Sequence, residues 1–257
     1  MKLLVLGNSH TACLMEACRE GEVTAGHEVA FFVRSGSGVT DYSLQGTRIA
    51  ASTEAMVAFL GRLGLAQEQD LAAFDALVVV ASEVSLFPLV QVLNAYRVLE
   101  WGHELREGRP ALTEAVLRLA FSEALMATNA ARLMADLRAV PALADRPIHL
   151  LPQPFPSERL MKMGRLPAGA GVRRLVRDGF GPPVAAVFAE ELARFAAAFG
   201  TVLHLQPAET ITQDCLTAEG YSTKARRLFD LNRYQPQEDI LHANLAYGRL
   251  LMAQVLG

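Results

Sequence analysis

Residues 1–17 read MKLLVLGNSHTACLMEA, and the fold depends on how this stretch divides. Leu3 to Leu6 form an apolar run that Gly7 ends. From His10 to about Glu20, alanine, leucine and methionine dominate, so the segment reads as strand, tight turn and helix. That is the first half of a βαβ unit. Similar apolar runs recur at 28–33 (EVAFFV), 76–81 (ALVVVA), 148–151 (IHLL, between Pro147 and Pro152) and 201–205 (TVLHL). Runs without polar alternation imply burial on both faces, as in a parallel sheet. The expected fold class is therefore α/β, a three-layer α/β/α sandwich around a five-stranded parallel sheet.

Between the third and fourth runs, residues 86–140 are rich in alanine and leucine and broken at Gly108-Arg109-Pro110. They predict a helical insertion, a hairpin or a lid. A proline-started amphipathic helix is expected from Pro183 to Phe199, and a last helix from about His242 to Val255. No internal repeat or low-complexity linker divides the 257 residues, so one domain over 1–257 is expected.

Composition narrows the function classes. Hydrophobic residues make up 51% and charged ones 20%, which describes an ordered globular chain. A net charge of -3 supplies no long-range field for nucleic acid or an anionic membrane, so neither is an expected partner. The basic groups Arg173, Arg174, Arg177 and Lys224, Arg226, Arg227, Arg233 read as solvated surface or as contacts for an anion. Cys13, Cys18 and Cys215 lack metal-ligand spacing and disulfide-framework character. The short apolar start does not resemble a secretory signal, and a cytoplasmic location is expected.

Ligands of parallel α/β sheets bind outside the carboxyl ends of the strands, where Gly7-Asn8-Ser9-His10 falls. Ser9 reads either as a helix N-cap or as a nucleophile near the positive end of a helix dipole. A phosphate loop is the weaker reading, because no glycine-rich cradle or GK[ST] follows. Near the other end, Asp239 and His242 are three residues apart. That spacing lets the carboxylate hold one imidazole nitrogen while the other takes a serine proton.

Gly7-Asn8-Ser9 after the first strand and Asp239-Ile240-Leu241-His242 before the last helix resemble the two terminal motifs of the SGNH, or GDSL-like, hydrolase superfamily. Asn244, Tyr247 and Gly248 extend the second match to D-x-x-H-x-N-x-x-Y-G. The resemblance implies a flavodoxin-like SGNH fold with Ser9 as nucleophile, His242 as general base and then acid, and Asp239 as its orienting partner. It also implies an oxyanion hole built from the Ser9 N–H, a glycine N–H after the second strand and an asparagine side chain after the third. Gly38 is the closer match for the glycine, and Gly36 is the alternative.

Two positions depart from the pattern. Asn8 stands where the family has aspartate, and Ala81, Ser82 and Glu83 stand where it has Gly-x-Asn-Asp. Ser82, Asn94 and Asn129 are the available substitutes for the missing donor. Asn8, His10, Ser82 and Glu83 are candidate substrate contacts. His149 and His204 read as core histidines, His27 and His103 as surface ones, and no metal site or cofactor is expected. The expected function is hydrolysis of an ester or O-acyl group on a small molecule or carbohydrate. An O-acyltransferase, a non-catalytic binding module and a nucleotide-binding protein are the alternatives.

Overall fold

The computed structural model describes residues 1–102, 109–164 and 169–257. Its centre is a five-stranded parallel sheet of β1 (Lys2–Gly7), β2 (Glu28–Val33), β3 (Ala76–Val80), β4 (Ile148–Leu151) and β5 (Val202–Leu203). The strand order is β2-β1-β3-β4-β5. β1 hydrogen-bonds to β2 on one side, Leu6 opposite Phe32, and to β3 on the other, Leu6 opposite Val79. The chain leaves β1 in one direction and returns on its other side, so a crevice opens at the carboxyl end of β1.

Alternate side chains of β1 enter two apolar clusters. Leu3 and Val5 join Val78, Val80 and Phe31 with residues of α1 (Ala12–Glu20) and α8 (Leu245–Leu256). Leu4 and Leu6 join Phe32, Leu77, Val79 and Leu150 with residues of α3 (Phe87–Ala95), α5 (Asn129–Arg138), α6 (Ala170–Arg177) and α7 (Gly181–Ala198). Both clusters are fully buried at β1, which is why that strand carries no polar alternation. α2 (Glu54–Arg62), α4 (Glu114–Met126) and α5 are each started by a threonine, Thr53, Thr113 and Thr128, whose side chain accepts a first-turn N–H.

The stretch expected as one helical insertion holds α3, α4 and α5, interrupted by a parallel pair, Arg97–Val98 with Ala111–Leu112. Its expected break includes Gly108, which lies outside the described residues, as does His103. An antiparallel meander of Tyr42–Gln45, Arg48–Ala51 and Glu68–Asp70 was not expected, because these short, mixed segments show neither period clearly. The last helix starts three residues later than expected, so His242 precedes it.

α8 lies along α1 at unusually close range. A methyl group on Gly248 would sit 2.5 Å from the Cys13 carbonyl carbon and closer still to its oxygen. Backbone on both sides leaves nothing flexible to yield. Gly248→Ala is therefore expected to lower the unfolding free energy by at least about 2 kcal/mol, within the range of overpacked cores. Gly61→Ala, in α2 with Gln67 Nε2 3.9 Å away, is expected to stay within about 1 kcal/mol of wild type on the stabilising side. Denaturant titration of both variants checks the contrast.

Candidate active site

The turn after β1 is set by contact on every side. A methyl on Gly7 would lie 2.8 Å from Val80 Cβ and 2.7 Å from Thr11 Cγ2, so only glycine fits between β3 and the following turn. Asn8 Oδ1 accepts the His10 N–H at 3.1 Å, and the Asn8 carbonyl accepts from Thr11 N at 3.0 Å and Thr11 Oγ1 at 2.6 Å. The cap is thus Asn8. Its amide oxygen does what a serine hydroxyl would otherwise do, and the Ser9 hydroxyl is left to other partners.

That partner is His242. Ser9 Oγ lies 2.9 Å from His242 Nε2, and His242 Nδ1 lies 2.9 Å from Asp239 Oδ1. The His242 N–H also donates to Asp239 Oδ2 at 3.1 Å, which fixes the carboxylate against its own turn. A carboxylate at Nδ1 selects the tautomer with its proton there, leaving Nε2 to accept from Ser9. Asn244 holds the segment in place. Its Oδ1 caps α8 by accepting from Ala246 N and Tyr247 N, while its Nδ2 donates to the Gly220 and Thr223 carbonyls at 2.8 and 2.9 Å. Tyr247 is buried in the cluster shared with α1.

His10 stacks on His242 with ring centroids 4.8 Å apart and planes 18° from parallel. It is only 8% exposed. Burial holds it well below the ordinary histidine value, and the adjacent His242 pushes the same way, against a smaller opposing effect of the Gln153 side chain. His10 therefore stays neutral beside the imidazole that is hydrogen-bonded to Ser9. Its Nδ1 is buried without a hydrogen-bond partner.

The loop after β3 takes an unusual course. Ala81, Ser82 and Glu83 have φ of 52°, 45° and 77°, three successive non-glycine residues in the left-handed region. Each costs on the order of 1–2 kcal/mol. Surrounding bonds hold the turn: Ala81 N donates to Leu151 O at 2.7 Å, Ala130 N to Ser82 O at 3.1 Å, and Gln153 N to Val84 O at 2.9 Å. Asn129 N donates to Glu83 Oε2 at 3.0 Å.

This turn sorts the expected contacts. Ser82 is buried, and its hydroxyl donates to Val80 O at 3.1 Å, so it faces the interior. Gly38 (φ 118°) packs against it, where a methyl would lie 2.6 Å from Ser82 Oγ. Gly36 and Ser37, not Gly38, line the cleft. Glu83 lines it too, at the position where the expected pattern has asparagine. Asn94 accepts from Arg174 Nη2 at 2.7 Å, and Asn129 Nδ2 reaches Ser37 O at 3.5 Å. Neither side chain lines the cleft.

The cleft over Ser9 encloses about 550 Å³ and brings together Asn8, Ser9, His10, Glu83 and His242. Gln153 in its wall was not singled out by the sequence reading, although its place just past β4 at the carboxyl edge is the signal that marks it. Cysteine is a poor competitor for Ser9, since burial pushes the Cys13 and Cys215 thiols up to about 12. His149 and His204 are half-buried rather than core, with Nδ1 of one 2.8 Å from Nε2 of the other. Among the described residues, no group of three or more His, Cys, Asp or Glu side chains could hold a metal. Among the same residues, no helix is long and apolar enough to cross a membrane.

No family model, curated protein or solved structure matches the chain. The arrangement of its own side chains is what bears on its chemistry.

Burial of neutral histidine has a pH signature. Folded His10 resists a proton that the unfolded chain takes up below about pH 6.5, and so does His149, lowered to about 4 by burial and by His204. Both contributions are complete above that pH and are lost as the pH falls toward the folded values. For His10→Phe, the plot of unfolding free energy against pH is expected to be shallower than wild type below pH 6, by up to about 1.4 kcal/mol per pH unit. Denaturant titrations between pH 4 and 7 check this, and parallel curves would contradict it.

Proposed function

We propose that the chain is a serine hydrolase of the SGNH type, an α/β/α sandwich that cleaves an ester or O-acyl group through an acyl-enzyme on Ser9. The observation that carries this reading is the continuous hydrogen-bonded line Asp239–His242–Ser9, with 2.9 Å at both joints, opening into the cleft. Ser9 Oγ attacks the acyl carbonyl as its proton passes to His242 Nε2. Asp239 holds the resulting imidazolium through Nδ1–H. His242 then gives the proton to the leaving alkoxide. For deacylation it takes a proton from water, whose oxygen attacks the acyl carbon, and returns that proton to Ser9 Oγ as the acyl–oxygen bond breaks and the acid leaves.

The tetrahedral oxyanion meets the Ser9 N–H at the first turn of the helix and the Gly36–Ser37 side of the cleft. Glu83 in place of asparagine removes one side-chain donor. The loss of such a donor slows acyl transfer about a hundredfold or more, so slow turnover is expected. A sugar hydroxyl in place of water would make the same machinery an acyltransferase. The same Glu83 also favours a second reading, a binding module that keeps the fold without turnover.

A fluorophosphonate probe separates these readings. Wild type is expected to form a single adduct on Ser9, located by peptide mass spectrometry. Ser9→Ala is expected to form none, and His242→Ala and Asp239→Asn are expected to label at least about a hundredfold more slowly. Folded wild-type protein that stays unlabelled at Ser9 would exclude the hydrolase and favour the binding module.

A further inference from the structure

A second cavity lies on the same carboxyl edge of the sheet as Ser9. β4 ends at Leu151 and β5 at Leu203, and the residues just beyond them, Gln153 and Leu205, enter its wall together with Phe155, Phe188, Ala189 and Ile211. It holds about 150 Å³ and is more enclosed than the cleft over Ser9. Gln153 lines both spaces.

Its polar groups are largely committed elsewhere. Gln206 accepts the Phe155 N–H at 2.8 Å and donates to Thr217 Oγ1 at 3.1 Å, holding the loop that forms the wall. Asp214, the charged side chain in the wall, lies with its carboxylate against Gly181 in the first turn of α7, where the helix dipole suits it. Apart from Gln153, at the boundary with the cleft, the rest of the wall is aromatic and aliphatic. Dry apolar cavities of about this size take up groups as large as benzene.

The path to Ser9 is short. Along the sheet, β4 is the second strand from β1, and two strand spacings make roughly 10 Å. A chain of about eight carbons, with bonds near 1.5 Å, spans that distance. Phe87, Pro88 and Leu241 supply apolar surface in the cleft over Ser9, which shares Gln153 with the cavity.

We propose that this cavity receives the tail of a medium-chain acyl group, about eight to twelve carbons long, whose carbonyl is held at Ser9. The inference rests on the serine-hydrolase reading and names the acyl class that the site selects. Each tail methylene moved out of water strengthens transition-state binding about fourfold. An acyl group of fewer than about eight carbons falls short of the cavity.

The test is a chain-length series of 4-nitrophenyl esters, acetate through dodecanoate, on the full chain. In wild type, kcat/KM for the decanoate is expected to exceed that for the butyrate at least tenfold. Ala189→Phe fills the cavity and is expected to lower that ratio at least tenfold. Ala185→Leu, on the same wall, is expected to lower it in the same direction and serves if the larger substitution unfolds the protein. A wild-type ratio near one, or a ratio unchanged in a folded variant, would overturn the proposal. Should no ester turn over and Ser9 stay unlabelled, the hydrolase reading alone fails. Calorimetry with decanoate then decides the cavity: binding to wild type that is lost in the filled variant supports it, and absence of binding overturns it.

Discussion

Helix α8 meets the Cys13 carbonyl of α1 at a point where no side-chain carbon fits, and the site depends on that contact. α1 follows directly from the turn that carries Ser9. α8 follows directly from the turn that carries Asp239 and His242. Bringing the two helices together at Gly248 therefore closes a separation of more than 230 residues along the chain into one hydrogen bond. Tyr247, buried beside Gly248, and Asn244, which caps α8 while tying it to Gly220 and Thr223, hold the approach in register. The three residues act by placing His242.

The other wall is fixed by strain held in place. Three left-handed residues after β3 are an unfavourable local choice, offset by backbone bonds from β4, α5 and the Gln153 segment. Interlocking extends to the loop after β2, because Gly38 leaves the space that Ser82 fills. A turn over-determined in this way keeps Glu83 at the cleft wall and withdraws Ser82 from it. Strain of this kind gathers at functional sites, where the surrounding structure can sustain it.

Much of this was legible in the sequence where chemistry and period coincide. The runs of β1, β3 and β4 identified the parallel sheet because burial on both faces leaves no polar alternation to mislead, whereas the edge strand β5 keeps only Val202–Leu203 of its run and is part-exposed. The contact of Ser9, His242 and Asp239 was legible because a serine after the first strand and an Asp-x-x-His before the last helix are complementary hydrogen-bonding groups. The rest depended on tertiary contacts that local sequence does not carry. Gly36 and Gly38 look alike in SGSG, and only the position of Ser82 distinguishes them. The capping role went to Asn8 because its side chain reaches the His10 N–H. The His10–His242 stack joins residues far apart in sequence, and the meander at 42–70 is too short and mixed to show a period. Gln153 sits in a proline-rich stretch that reads as irregular until the strand end beside it is known.

The α1–α8 contact presents the His242 imidazole with Nδ1 toward Asp239 and Nε2 toward Ser9, an arrangement that favours a proton on Nδ1 and a lone pair on Nε2. Nitrogen-15 NMR of the histidine side chains measures this directly. At neutral pH His242 is expected to be the Nδ1–H tautomer, with a strongly deshielded Nδ1 proton that is lost in Asp239→Asn. An Nε2–H tautomer, or a ring that exchanges freely between tautomers as in solvent, would contradict it.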